Sequence, residues 1–118
     1  MKILLYICFP LLFMSCKSDT VLAIERGIQL YDWGKIDDAI LEFNKAKYLQ
    51  ISKKRQTYDD LKLLAQTHYN LSISYAKLGM YKIAYQEAQH AVSLIPNQEY
   101  REVLSLIEQK LIELQHNN

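Results

Sequence analysis

Residues 65–98 read AQTHYNLSISYAKLGMYKIAYQEAQHAVSLIPNQ. Two helical runs flank Gly79, and their residues alternate in size. Ser72 is small and Tyr75, one turn on, is large; Tyr81, Ala84, Tyr85, Ala88 and Ala91 follow the glycine, and Pro96 closes the stretch. Small residues at helical spacing let two helices cross closely while bulky ones fill the space beside them. Gly79 stands where a helix ends in a left-handed residue, a conformation glycine adopts freely. Pro96 stops the second helix for want of an N–H.

The pattern occurs once more upstream. With Gly34 set on Gly79, residues Gly27, Leu30, Ile36, Ala39, Ile40, Phe43 and Ala46 fall on Ser72, Tyr75, Tyr81, Ala84, Tyr85, Ala88 and Ala91. This resembles the tetratricopeptide repeat, a helix–turn–helix of about 34 residues. The resemblance implies an all-α fold, an α-solenoid of antiparallel helix pairs with repeats at residues 20–53 and 65–98. The upstream copy has Ile36 in place of the usual aromatic and Ile51 in place of the closing proline.

The two glycines are 45 residues apart, 11 more than one period, so residues 54–64 read as an insertion. It lengthens the third helix to about 20 residues, roughly 30 Å. Helices are expected at 19–33, 36–50, 57–78, 81–94 and 98–115, with residues 51–56 an exposed connection. Thr57 followed by Asp59 and Asp60 is a capped helix start with acids at the positive end of the dipole. Residues 99–118 form a capping helix and tail, with Val103, Leu104, Ile107, Leu111 and Leu114 in one apolar stripe. Leu106 and Ile112 lie off that stripe, and two repeats are fewer than the usual minimum of about three. Self-association, or docking onto another helical protein, would relieve both problems.

Upstream of the repeats the composition changes. Met1-Lys2 precedes Ile3 to Met14, an uncharged apolar run containing Pro10, and then Ser15-Cys16-Lys17-Ser18-Asp19. This is the layout of a secretory signal over residues 1–15. Twelve helical residues span roughly 18 Å, short of the roughly 30 Å hydrocarbon core, so the run is a poor transmembrane anchor. Phe13-Met14-Ser15-Cys16 resembles a bacterial lipoprotein signal, which implies acylation of Cys16 and cleavage before it. Ser15 is the small residue such a cut requires; Phe13 and Met14 depart from the commonest residues of the motif. Cleavage by the ordinary signal peptidase is the alternative. Residues 16–19 then form the lipidated cysteine and a short tether in which only Lys17 and Ser18, under about 10 Å of chain, separate lipid from the first helix, placing the repeats at a bacterial envelope membrane on its periplasmic or surface face.

Charge and cysteine usage narrow the classes further. The chain has 118 residues, is 50% hydrophobic and carries a net charge of +1. Without residues 1–15 it is neutral, 13 basic against 13 acidic. No basic surplus seeks phosphate, so nucleic acid is not an expected partner. Cys8 falls within the signal and Cys16 is left alone, which excludes an intramolecular disulfide and a cysteine-based metal or redox site.

No enzyme constellation competes. His68 and His90 are on different helices without a local carboxylate or cysteine spacing, and His116 is in the tail. Asp37-Asp38 belongs to a first helical turn rather than an acid/base pair. Lys53-Lys54-Arg55 is short for a nucleic-acid patch and reads as a solvated loop, with contact to anionic lipid the alternative. No catalytic residue, cofactor or metal is expected.

The resemblance implies a ligand groove along the first helix of each pair. It would present Ile24, Ile28 and Tyr31 from one repeat and Tyr69, Ile73, Ala76 and Lys77 from the other. An amphipathic helix or extended segment of a protein or peptide partner could anchor there, with Lys77, Glu25 or Asn70 fixing its direction. Chaperone-binding members of the family grip a carboxylate with Lys and Asn. Here Ile24, Ile28, Tyr69 and Ile73 hold those places and only Asn70 is suited, so no clamp is expected. The extra length of the third helix, or a second copy of the chain, could instead cover part of this face. The expected function is a lipid-anchored protein-interaction or assembly module. The alternative is a structural subunit or transporter-associated accessory protein whose groove a constitutive partner fills.

Overall fold

A computed structural model describes residues 16–118, of which 81% are helical, with no strand among the described residues. The expectations for residues 1–15 lie outside the described residues. The five helices are α1 (Asp19–Asp32), α2 (Ile36–Ile51), α3 (Tyr58–Lys77), α4 (Tyr81–Leu94) and α5 (Gln98–His116). Each packs on its neighbour in sequence, α1 also touches α3, and α3 touches α5. Such packing makes two layers, with α1, α3 and α5 stacked in one and α2 and α4 on the other side, the arrangement of an all-α helical repeat.

The two tight turns are built alike. Gly34 and Gly79 have φ of 78° and 77°. At the first, the Gly34 N–H donates to the Tyr31 carbonyl and Lys35 N–H to Leu30, both at 2.9 Å. At the second, Gly79 N–H donates to Ala76 and Met80 N–H to Tyr75, again at 2.9 Å. These paired bonds satisfy carbonyls that a helix end leaves open and reverse the chain in three residues. The other starts use side chains: Ser18 accepts from the Val21 N–H, Asn97 from Tyr100, and Thr57 shares a reciprocal capping box with Asp60.

Packing follows the expected interlock of size. Gly27 lies against the ring of Phe43, so close that a Cβ there would come within 2.4 Å of Phe43 Cε1. Phe43 joins Ile36, Ala39, Ile40 and Leu71 in one cluster, with Leu30, Tyr31 and Tyr75 packed around it. Ala84, Ala88 and Ile107 form the cluster between the second repeat and α5, where Tyr75, Ala76, Tyr85, Val103 and Leu104 pack against it.

The burial of α5 differs from the expectation, while the connection is exposed as expected. Of the predicted α5 stripe only Ile107 is buried, and Leu114 is 46% exposed. The reason is length: α5 has 19 residues against 14 in α4, so its last turn runs past the helix it covers. The connection after α2 is exposed but firmly held. The Gln56 side chain donates to the Gln50 and Lys53 carbonyls, and Lys53 Nζ binds Asp60 Oδ1 at 2.7 Å.

Candidate functional site

A groove opens between α1 and α3 over the floor made by α2. Ile28, Tyr31, Asp32, Phe43, Asn70 and Ile73 line a cavity of about 220 Å³. That is below the roughly 300–1,000 Å³ of small-molecule pockets and suits one or two side chains of a larger partner. Ile28 and Tyr31 share a face of α1 by helical spacing, and Asn70 and Ile73 do the same on α3. Phe43 is 1% exposed and supplies the base. The Asn70 Nδ2 is buried and makes no hydrogen bond within the described residues. Asp32 is exposed and joins none of the ion pairs there. An apolar base and a carboxylate at the rim can seat an apolar side chain and a cation.

The residues expected along this face divide into groups. Ile28, Tyr31 and Ile73 come together with Asn70. Ile24 does not join them: it is 3% exposed and packs with Ala23, Ala46 and Leu63. Leu63 lies in the first half of α3, so the length of that helix covers Ile24. Tyr69 turns instead toward α5, donating to Glu99 Oε1 at 2.9 Å, its ring 4.8 Å from that of Tyr100. Ala76 packs in the second-repeat cluster, Lys77 is exposed outside the groove, and Glu25 pairs with Lys17. Phe43 and Asp32 are lining residues that sequence reasoning missed. Asp32 is four residues from Ile28 and so on its face, whereas Phe43 was read only as core volume.

A second constellation corrects the reading of His68. It is 7% exposed and its Nδ1 lies 2.5 Å from Glu87 Oε2, so a carboxylate is local in space though 19 residues away. Glu87 also accepts from Lys47 Nζ at 3.3 Å, and His90 stacks on the His68 ring with centroids 4.9 Å apart. Burial pushes the Glu87 carboxyl up, but the His68 hydrogen bond and the Lys47 charge outweigh it and hold it below its ordinary value. The seam ties α2, α3 and α4 together; Lys47–Glu87 spans the two outer helices, whose backbones do not otherwise meet.

A second apolar surface lies at the far end of the stack. Gly79, Met80, Tyr81, Ile83, Leu111 and Leu114 surround a shallow cleft between the start of α4 and the overhang of α5. Cys16 is exposed, two residues before the Ser18 cap of α1. No cluster of three His, Cys, Asp or Glu suited to a metal occurs among the described residues, and no described helix is long and apolar enough to cross a membrane. Compared with protein-family models and with curated proteins, the chain matches none.

Proposed function

We propose that this chain is a non-enzymatic protein-interaction or assembly module of the tetratricopeptide type, held at a bacterial envelope membrane by lipid on Cys16. The observation that supports the reading best is the α1–α3 groove. It is apolar at its base, sized for side chains, and carries an Asn70 amide that no group among the described residues satisfies. A bound segment places an apolar residue over Phe43 and a cation beside Asp32. Cross-linking the membrane-anchored protein to its partner and comparing wild type with Ile28→Glu and Ile73→Glu tests the groove. Partner yield should fall at least about tenfold, a loss of about 1.4 kcal/mol, with helicity by circular dichroism unchanged. Equal yields sink the groove reading.

The anchor is tested separately by metabolic fatty-acid labelling of wild type and Cys16→Ala; label retained in the variant refutes lipidation. A constitutive subunit is the second reading, favoured by the exposed Met80, Ile83 and Leu114 at the far end of the stack. A companion recovered in fixed stoichiometry supports the subunit, transient clients the binder.

A further inference from the structure

We propose that the end of the molecule formed by the α2–α3 connection is a membrane-contacting foot that lies on anionic lipid headgroups. It deepens the anchoring reading and rests on it for the position of the lipid.

Three helix ends meet there. The Ala23, Ile24, Ala46 and Leu63 cluster joins the first half of α1, the last half of α2 and the first half of α3. The start of α1, the end of α2 and the start of α3 therefore share one end, and Cys16 leads into it. Around that end stand Tyr48 at 73% exposure, Ile51 at 58% and Tyr58 at 67%, three of the barest large apolar residues described. Each lies within one turn of its helix end. Tyrosine suits the boundary between hydrocarbon and water, because its ring is apolar and its hydroxyl stays wet.

The connection also presents charge. Lys53 is engaged by Asp60, but Lys54 and Arg55 are exposed and join none of the ion pairs among the described residues. Lys62 adds a cation over the Tyr58 ring at 5.5 Å from its centroid. Asp19 and Asp59 sit at the same end, in the first turns of α1 and α3, where the helix dipoles favour them. The loop holding the two free cations is stiffened by the Thr57–Asp60 box and the two Gln56 bonds, so its display is preorganised.

The insertion gains a purpose from this. α3 is six residues longer than α4, about 9 Å, and the excess carries Tyr58 beyond the repeat stack. Residues 16–18 allow under about 10 Å between an acylated Cys16 and α1, so the lipid inserts beside this foot. One insertion thus covers Ile24 and sets the foot on the bilayer, leaving the α1–α2 and α3–α4 turns at the opposite edge.

The test uses the full chain, recovered as the cell processes it and reconstituted into phosphatidylcholine–phosphatidylglycerol vesicles with brominated acyl chains. Trp33, the single tryptophan, lies at the opposite edge and is 64% exposed. Brominated lipid should quench Tyr58→Trp in a Trp33→Phe background at least about threefold more than it quenches wild-type Trp33, because quenching requires depth at the interface. Ile51→Trp in the same background should behave like Tyr58→Trp. Equal quenching at the two edges, stronger quenching of Trp33, or none at either position overturns the proposal. Fatty-acid label on Cys16 without quenching at residue 58 removes the foot alone; quenching there without label removes the anchor alone.

Discussion

Gly27 and Phe43 act as one unit, since the ring occupies the space a β-carbon would need. Gly27→Ala should displace Phe43 and lower stability by about 1–3 kcal/mol, read as a drop in the urea midpoint at unchanged slope. Gly79 is constrained differently: nothing lies near its missing β-carbon, and only its φ of 77° excludes other residues. Gly79→Ala should cost about 1–2 kcal/mol and Gly79→Asn less, because Asn tolerates the left-handed region. Tyr69 carries a titration signature. Burial first, and then its hydrogen bond to Glu99, push its hydroxyl up to about 12. A phenol with a raised folded-state pKa stabilises fully below its unfolded value near 10, and that contribution fades as pH rises toward 12. Stability should fall over this alkaline window, and Tyr69→Phe should make the fall shallower in urea titrations at pH 9 and 11.

Among the elements, α3 is the one the sequence had to extend and therefore to start well. Its box joins Thr57 and Asp60 reciprocally: the Asp60 N–H donates to Thr57 Oγ1 at 3.2 Å and the Thr57 N–H to Asp60 Oδ2 at 2.9 Å. Thr57→Ala should cost about 1 kcal/mol of stability. Lys53, then the Thr57 N–H, hold the Asp60 carboxyl far below its ordinary value, against the burial that would raise it. A carboxylate lowered in the folded state stabilises above its unfolded pKa, near 3.9, and that support is lost as pH falls through the acid range. Urea midpoints measured from pH 6 to pH 3 should therefore fall, and less steeply in Asp60→Asn than in wild type.

At the scale of the whole molecule, an open stack leaves its ends to be covered. α5 covers the second repeat with Ile107, but Leu106, Ile112 and Leu114 stay exposed on it, and Met80 and Ile83 beside its overhang. Two repeats bury little apolar surface, and a second chain docked on this end would add what a third repeat supplies. Sedimentation of the detergent-solubilised protein should give a mass above that of one chain, and Ile83→Lys with Leu114→Lys should return it to one. A single-chain mass in wild type refutes self-association.

Much of this was legible because it depends on local chemistry. The helix ends follow from Thr57, Asn97, Pro96 and the two glycines, whose caps and backbone angles are properties of a few neighbouring residues. The spacing of 45 between Gly34 and Gly79 was enough to anticipate the length of α3. The groove was legible in part: Ile28, Tyr31 and Ile73 lie together as their helical spacing requires. Ile24 and Tyr69 left it for reasons no spacing carries, since Leu63 covers one and Glu99 with Tyr100 draws away the other. Likewise Glu87 reaches His68 only once α3 and α4 pair, and Phe43 becomes a groove floor only where α1 and α3 part above it. The sequence by itself determined the helices, their turns and their order, because hydrogen bonding and side-chain size act between near neighbours. Only the tertiary structure decided which side chains stay open to solvent, because exposure depends on which distant helix arrives to cover them.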